Sequence, residues 1–152
     1  MTRRLFVNAK VCTGCRYCEV VCSIRHEGKI NPRKSRIKVK SDLLGGRDTP
    51  KVCHQCDNPP CVSACPVSAI IYDSVLNTPI INSEKCDGCK TCIDACPFKE
   101  IFFDDEQNVA IKCDLCGGDP QCVKFCRALP HIGHAALTYT TIEVYKQAKQ
   151  AK

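Results

Sequence analysis

The sequence predicts a small α+β protein in which short strands, hairpins and short helices surround bound metal. Sixteen cysteines make up more than a tenth of the 152 residues, a density typical of a disulfide scaffold or a metal protein. Every cysteine belongs to one of four similarly spaced groups. Only about a third of the chain is apolar once the cysteines are set aside. A conventional core would therefore be too small, and something else must fill the interior.

The four groups of cysteines, here called quartets, form an internal repeat. Each quartet begins with C-x2-C and ends with C-x3-C, and no cysteine is left over. The central gap is two residues in the first and third quartets, four in the second and five in the fourth, and turn residues fill the longer gaps. The quartets are Cys12, Cys15, Cys18 and Cys22; Cys53, Cys56, Cys61 and Cys65; Cys86, Cys89, Cys92 and Cys96; and Cys113, Cys116, Cys122 and Cys126.

The third quartet reads CDGCKTCIDACP over residues 86–97 and reproduces the C-x2-C-x2-C-x3-C-P run of bacterial ferredoxins. Three cysteines at steps of three residues wrap one loop around three iron atoms of a cubane cluster. The fourth cysteine lies one helical turn further on and serves the neighbouring cluster in two-cluster ferredoxins. Zinc is the main alternative, but four-cysteine zinc sites use two C-x2-C pairs with a longer spacer. The motif therefore predicts a [4Fe–4S] site.

Two hairpins are predicted between the quartets. Ala69–Tyr72 and Pro79–Asn82 flank one turn, and Ile101–Phe103 and Val109–Lys112 flank a second, acidic turn. Each pair combines β-branched or aromatic residues with polar residues at the turn. The inner part of the chain should therefore be built from hairpins.

The two ends of the chain are predicted to meet. Leu5–Val7 and Ala136–Tyr139 have the composition of terminal strands that could pair and close the molecule. Short helices should begin near the third cysteine of each quartet. A terminal helix is predicted from about Thr141, with that threonine as its cap.

The composition argues against a disulfide scaffold and against a membrane protein. The first residues, MTRRLFVNAKVC, contain an apolar run too short for a secretory signal, and no stretch approaches the length of a membrane span. We therefore expect a soluble, cytoplasmic protein whose cysteines bind metal. No nucleophile–base pair, phosphate-binding glycine loop or substrate pocket is evident, so we expect no catalytic residues.

The formal charge of +6 treats every cysteine as neutral. An oxidised [4Fe–4S] cluster with four thiolates carries roughly −2, so four clusters would bring the protein near −2. Binding to nucleic acid is therefore not predicted. The lysines and arginines are better explained as compensation for cluster charge.

The quartets together resemble the electron-transfer subunits of the dimethyl sulfoxide reductase family. The resemblance rests on the four quartets, on the absence of a trailing proline from the outer two, and on the inserted segment CHQCDNPPCVSACP. It implies two nested bacterial-ferredoxin-like units around four cubane clusters. Residues 1–52 with 110–140 would form the outer unit, residues 53–109 the inner unit, and residues 141–152 a helical tail.

The same resemblance implies that each quartet gives its last cysteine to a neighbouring cluster. The four ligand sets would be Cys12, Cys15, Cys18 and Cys126; Cys113, Cys116, Cys122 and Cys22; Cys53, Cys56, Cys61 and Cys96; and Cys86, Cys89, Cys92 and Cys65.

The compact length resembles that of the small polyferredoxin subunit found with tungsten-dependent aldehyde oxidoreductases. This resemblance implies a large catalytic subunit with a tungsten or molybdenum cofactor and a separate electron donor or acceptor. Alternatives are the relay subunit of a molybdopterin enzyme, a hydrogenase or a carbon monoxide dehydrogenase, and a free polyferredoxin shuttle. A redox or iron sensor is a weaker hypothesis, because a sensor seldom needs four clusters. Head-to-tail self-stacking is a further expectation.

The histidines are not needed as ligands, because every quartet is complete. His54 should pack beside a cluster or donate a hydrogen bond to sulfur, whereas His131 and His134 are expected to be ordinary surface or hairpin residues. The basic stretch from Arg25 to Lys40 is interpreted either as a solvated face or as a docking surface for an acidic partner. Four phenylalanines near the ligands are expected to shield the clusters from water: Phe98, Phe102, Phe103 and Phe125.

Overall fold

The computed structural model describes residues 3–126 and 135–150 and has the α+β fold that the sequence predicts. Four two-stranded antiparallel sheets are joined by short helices and loops. The strands are β1 Arg3–Val7, β2 Ile37–Asp42, β3 Arg47–Val52, β4 Ile70–Asp73, β5 Thr78–Ile81, β6 Phe102–Asp104, β7 Val109–Ile111 and β8 Leu137–Thr141. The helices are α1 Tyr17–Glu27, α2 Pro60–Ser63, α3 Thr91–Ala95, α4 Gln121–Lys124 and α5 Ile142–Gln150.

The two chain ends pair as predicted. Strand β1 runs antiparallel to β8 with Leu5 opposite Tyr139. Helix α5 follows β8 directly and packs on the sheet, where Tyr145 stacks on Phe6 with ring centroids 4.2 Å apart. The buried amide of Gln55 accepts a hydrogen bond of 3.0 Å from the Leu5 N–H. This bond ties the terminal sheet to the second quartet.

Both predicted hairpins are confirmed, and they use the same turn. Asp73 ends β4 and accepts hydrogen bonds from the N–H groups of Val75 and Leu76 at 2.8 and 2.9 Å. Asp104 ends β6 and accepts the two equivalent bonds in its own turn. Asn77 and Asn108 close the two turns with φ values of 50° and 55°, a left-handed conformation that asparagine tolerates.

A third hairpin, β2–β3, was not predicted from the sequence. Its register places Ile37 opposite Val52 and Val39 opposite Pro50, and these four side chains are buried. At the other end, the side chain of Asp42 accepts hydrogen bonds from the turn. The hairpin therefore has a buried base and an exposed tip.

The helices begin near the third cysteine of each quartet, as predicted, but their lengths differ. Helix α1 continues past Cys22, where Ser23 stands in place of the proline of the second and third quartets and permits the helix to continue, and it ends before Gly28, whose φ is 69°. The other three quartet helices are four or five residues long. Helix α1 contacts α4, and α2 contacts α3. Within residues 3–126 and 135–150, no helix is long and apolar enough to span a lipid bilayer.

The buried side chains form two separate groups. The larger group joins helix α1, the β2–β3 hairpin, the fourth quartet and β8, with Ile37, Leu115 and Leu137 at 1%, 0% and 1% exposure. The smaller group is built around the second and third quartets and includes Ile70 and Ile101. Cysteines belong to both groups. The division into domains at the boundaries given above stays a prediction.

The basic stretch is only partly a solvated face. Lys34 is buried, and its ammonium lies 3.1 Å from Asp104, 2.7 Å from Glu106 and 3.7 Å from Glu27. Arg36 pairs with a carboxylate of the fourth quartet, as described below. The interpretation as a solvated face is therefore wrong for these two residues, because acidic residues from other parts of the chain fold against them.

Replacing Leu137 with Ala should destabilise the protein by about 2–5 kcal/mol, since it removes buried methyl groups and leaves a cavity. Leu43 is 92% exposed, so Leu43→Ala should change the stability by no more than about 0.5 kcal/mol. Anaerobic denaturant unfolding monitored by circular dichroism measures both changes. Equal effects of the two substitutions would contradict the burial of Leu137.

Candidate metal centres

The structure gathers the sixteen cysteines around four cavities, with four cysteines at each. The sites are numbered in the chain order of the three cysteines that each takes from a single quartet. Site I is lined by Cys12, Cys15, Cys18 and Cys126, and site II by Cys53, Cys56, Cys61 and Cys96. Site III is lined by Cys86, Cys89, Cys92 and Cys65, and site IV by Cys113, Cys116, Cys122 and Cys22.

Each site takes three cysteines from one quartet and the last cysteine from another. The first and fourth quartets exchange Cys22 and Cys126, and the second and third exchange Cys65 and Cys96. The reason is local. The first three cysteines lie on or beside one loop, and the helix that follows carries the fourth away from it. The structure thus brings together the four sets that the family resemblance implies, while ligation within each set stays a prediction.

A shared backbone conformation shapes the loop of every site. The residue before the second cysteine has a positive φ in all four quartets, at 65° for Gly14, 47° for Gln55, 76° for Gly88 and 56° for Leu115. Glutamine and leucine rarely adopt this left-handed region. At Gly88 a Cβ would lie 2.6 Å from the carbonyl oxygen of Asn108, so a larger residue would collide with backbone. Strain of this kind concentrates at functional sites.

The thiols at these sites are held in surroundings that oppose ionisation. Burial, followed by the charge of Glu19, raises the pKa of Cys18 to about 12. Burial and the neighbouring thiols raise the pKa of Cys92 to about 11. A site with four thiolates therefore needs a strongly positive partner. Bound iron would supply that charge and would displace the thiol protons. The donor sets fit an iron–sulfur cluster.

The spacing of the sulfur atoms argues against single metal ions. In a tetrahedral zinc site with Zn–S bonds of about 2.3 Å, the sulfurs lie about 3.8 Å apart. Among the described residues, which include every cysteine, no three sulfurs lie within 4.8 Å of one another. One group of different composition meets that distance, and it consists of His26, Asp114 and Cys116. The sets of four cysteines are too open for one ion and suit a larger cluster.

Sequence reasoning missed a network beside site IV. His26 Nε2 lies 3.1 Å from Asp114 Oδ1, and the Arg36 guanidinium donates to Asp114 Oδ2 at 2.7 Å. Burial disfavours the charged imidazole, but the hydrogen bond to Asp114 raises the pKa of His26 to about 9. The imidazole is therefore positively charged at neutral pH. The partners stand 78 and 88 residues apart, so no local sequence signal could have identified them.

A buried lysine stands beside site II. Lys112 is 2% exposed, and its ammonium donates to the carbonyl oxygens of Cys113, at 2.8 Å, and of Pro79. Its charge lowers the pKa of Cys61, although burial, the larger effect, leaves that pKa raised. Lys112 thus provides the charge compensation expected for cluster sites.

The expected roles of the histidines and phenylalanines are met in part. His54 lines site II and stacks on Phe98 with centroids 3.9 Å apart, in keeping with packing beside a cluster. Phe98 is 44% exposed and lies at the edge of that cavity. The expectation that Phe125 shields a cluster from water is wrong, because this side chain is 48% exposed and lines none of the four sites.

Two aromatic rings on β6 lie against lysine ammonium groups and line none of the four cysteine sites. The ammonium of Lys38 lies 5.5 Å from the ring of Phe102, and that of Lys90 lies 4.0 Å from the ring of Phe103. His131 and His134 lie outside the described residues, so the expectation for them stays a prediction.

Comparison with known proteins identifies the family. Residues 47–131 match the family model described as a 4Fe-4S dicluster domain. The "Aliphatic sulfonate oxidoreductase, polyferredoxin-like subunit" of Pyrococcus furiosus is 42% identical over 137 residues, which cover 90% of this chain and 77% of that protein. A tetrathionate reductase subunit of Salmonella typhimurium is 30% identical over 80% of this chain, and electron transport protein HydN of Escherichia coli is 32% identical over 60%. The chain spans about half the length of these last two relatives.

Among solved structures, the active site complex BamBC of benzoyl coenzyme A reductase contains a similar chain. It superposes with a TM-score of 0.51 at 22% identity and covers 99% of this chain and 88% of its own. This likeness shows the shared fold. With the motif, the sites and the relatives together, the chain belongs to the 4Fe-4S dicluster domain family and is a non-catalytic, iron–sulfur electron-transfer subunit of the kind found in oxidoreductase complexes.

Proposed function

We propose that the chain carries four [4Fe–4S] clusters, one in each of sites I to IV, and relays electrons between a catalytic subunit and a separate electron donor or acceptor. The observation that carries the proposal is the placing of four cysteines, and no cysteine to spare, at each of four cavities. Bound clusters of this type supply reversible one-electron oxidation and reduction. The protein supplies the ligands, the cationic surroundings and the exclusion of water.

Electrons must enter and leave where a ligand approaches the surface. Cys15 of site I and Cys89 of site III are exposed, whereas the other cysteines are buried or half-buried. We propose these two loops as the points of electron exchange. The helix pairs α1–α4 and α2–α3 support the division into an outer and an inner ferredoxin-like unit. The sixteen free thiols suit a reducing compartment, and we propose the cytoplasm.

The proposed catalytic partner is a tungsten-dependent aldehyde oxidoreductase. This choice rests on the resemblance to the compact polyferredoxin subunits of such enzymes. A relative named as the polyferredoxin-like subunit of an aliphatic sulfonate oxidoreductase supports an oxidoreductase partner in general. Oxidation of an aldehyde to a carboxylic acid releases two electrons, which a chain of one-electron carriers must remove singly. A molybdopterin enzyme, a hydrogenase, a carbon monoxide dehydrogenase or a free shuttle would use the same relay. Head-to-tail stacking of copies stays part of the proposal.

Iron analysis tests the number of clusters. Protein purified without oxygen should contain about sixteen iron atoms and as many sulfides per chain, because four cubanes hold four of each. Colorimetric iron and sulfide determinations measure both quantities. Zinc in place of iron, or half the iron, would contradict four clusters.

Serine substitutions test the exchange of last cysteines. Cys126→Ser and Cys15→Ser should alter the same electron paramagnetic resonance signal, although the two residues lie in different quartets. Cys22→Ser should instead alter the signal that Cys116→Ser alters. If each change affected only the signal of its own quartet, the proposed ligand sets would be wrong.

Native purification tests the partner. The chain should copurify with a large subunit that contains tungsten, and added aldehyde should bleach the visible absorption of the clusters. Metal analysis of the complex and anaerobic spectroscopy measure these results. Molybdenum in the large subunit would reject the tungsten partner while keeping the relay, and a stable chain without a partner would favour the free shuttle.

A further inference from the structure

The two outer sites, I and IV, are built from equivalent segments but differ in the charged side chains around them. Both use three cysteines of one outer quartet and the last cysteine of the other. Site IV receives Cys22 from helix α1, and site I receives Cys126 from the segment that follows helix α4. The two helices contact one another. A difference in reduction potential between the two sites would therefore come from their neighbouring side chains.

At site IV, hydrogen-bond donors and positive charge converge on Cys22. The Arg36 backbone N–H donates to Cys22 Sγ at 3.3 Å, and the ring nitrogen Nδ1 of His26 lies 3.8 Å from the same sulfur and 2.8 Å from the Cys22 carbonyl oxygen. Asp114 holds His26 and the Arg36 guanidinium in place through its two carboxylate oxygens. Both ring nitrogens of His26 face oxygen acceptors, Asp114 Oδ1 and the Cys22 carbonyl oxygen, and only the doubly protonated, positively charged ring donates to both. With Arg36 also charged, the three side chains carry a net positive charge.

Among the cysteines of site IV, Cys22 is the one whose sulfur lies beside both the Arg36 N–H and the His26 ring. The sulfur of Cys113 accepts a hydrogen bond of 3.4 Å from the Leu115 N–H. Negative charge that develops at this site would therefore be met by several hydrogen-bond donors and by the His26 ring.

At site I, two carboxylates lie near the cysteines, and the one charged side chain among the described residues that line the cavity is Arg16. Glu19 is 5% exposed and follows Cys18 directly, and its Oε1 accepts a hydrogen bond of 2.5 Å from the Val39 N–H. Asp48 lies against the loop of the first quartet, where a Cβ on Gly14 would come within 2.3 Å of its carboxylate. Arg16 contacts Glu19 at 3.3 Å, so this one cation stands beside two carboxylates. Negative charge therefore lies close to two of the cysteines of site I.

We propose that His26, Arg36 and Asp114 act as a positioning triad that makes site IV the higher in reduction potential of the two outer sites, while Glu19 and Asp48 keep site I lower. The inference rests on the proposed four-cluster function. Addition of one electron makes a site more negative by one charge, without a bond forming or breaking. Cations and N–H donors at a ligand sulfur stabilise that added charge, and nearby carboxylates oppose it. An electron shared between the outer sites therefore resides at site IV.

Potentiometric titration with electron paramagnetic resonance tests the triad. The protein is titrated with dithionite as the reductant in the presence of redox mediators. The signal of site IV is identified as the one that Cys116→Ser alters. In the wild-type protein this signal should develop at a higher potential than the signal altered in Cys15→Ser. His26→Gln and Arg36→Gln should each lower the ratio of reduced to oxidised site IV about tenfold at a fixed potential, because each removes a charged hydrogen-bonding partner. Arg33→Gln, which removes an exposed charge of the same basic stretch, should leave that ratio unchanged.

A substitution that should raise, rather than lower, a reduced fraction makes the test independent of damage to site IV. Glu19→Gln keeps the acceptor for the Val39 N–H but removes the charge, so it should raise the reduced fraction of site I. Iron content is measured for every variant. Site I reducing before site IV, or unchanged ratios in His26→Gln, Arg36→Gln and Glu19→Gln with full iron content, would overturn the triad. Wild-type protein that lacks sixteen iron atoms would instead overturn the four-cluster proposal.

Discussion

The gathering of four cysteines at each of four places is the constraint on which the rest of this structure depends. Buried thiols close to one another resist ionisation, so the sites reach their working charge state only with a positive metal. Seven of the sixteen buried residues in the two groups are cysteines. Bonds to metal would therefore add to the apolar contacts that stabilise most domains of this size. Short helices and two-stranded sheets suffice, because they need only hold loops in position.

The exchanged last cysteines interlock the two halves of each unit. Cys22 leaves the first quartet on helix α1 and lines the site of the fourth quartet, while Cys126 returns to the site of the first. The same helix carries His26 to Asp114. Neither outer site is complete without both ends of the chain, and the β1–β8 sheet holds those ends together. Helix α1 thus determines both which cysteine completes site IV and which charged side chains lie beside that site.

The elements that the sequence predicted are those with short-range signals. The quartets locate the helices, and an aspartate followed four residues later by an asparagine marks two hairpins. The β2–β3 hairpin escaped prediction because its tip, with Leu43 and Leu44 ahead of two glycines, lacks the asparagine. Its strands also lie within a stretch whose charges suggested a solvated face. The roles of Lys34 and Arg36 depend on carboxylates that are distant in the sequence, and local pattern carries no information about them.

The exchanged cysteines also have a consequence for synthesis on the ribosome. Sites II and III require no cysteine beyond Cys96, whereas site I contains Cys12 and waits for Cys126, more than one hundred residues later. At roughly 5–20 residues per second, that interval lasts about 5–20 s. During this time the first three cysteines emerge without their fourth partner and stay open to oxygen and to stray metal ions. The nested topology therefore sets an order of assembly, from the inner sites outward, and makes the newly made N-terminal loop the most vulnerable part of the growing chain.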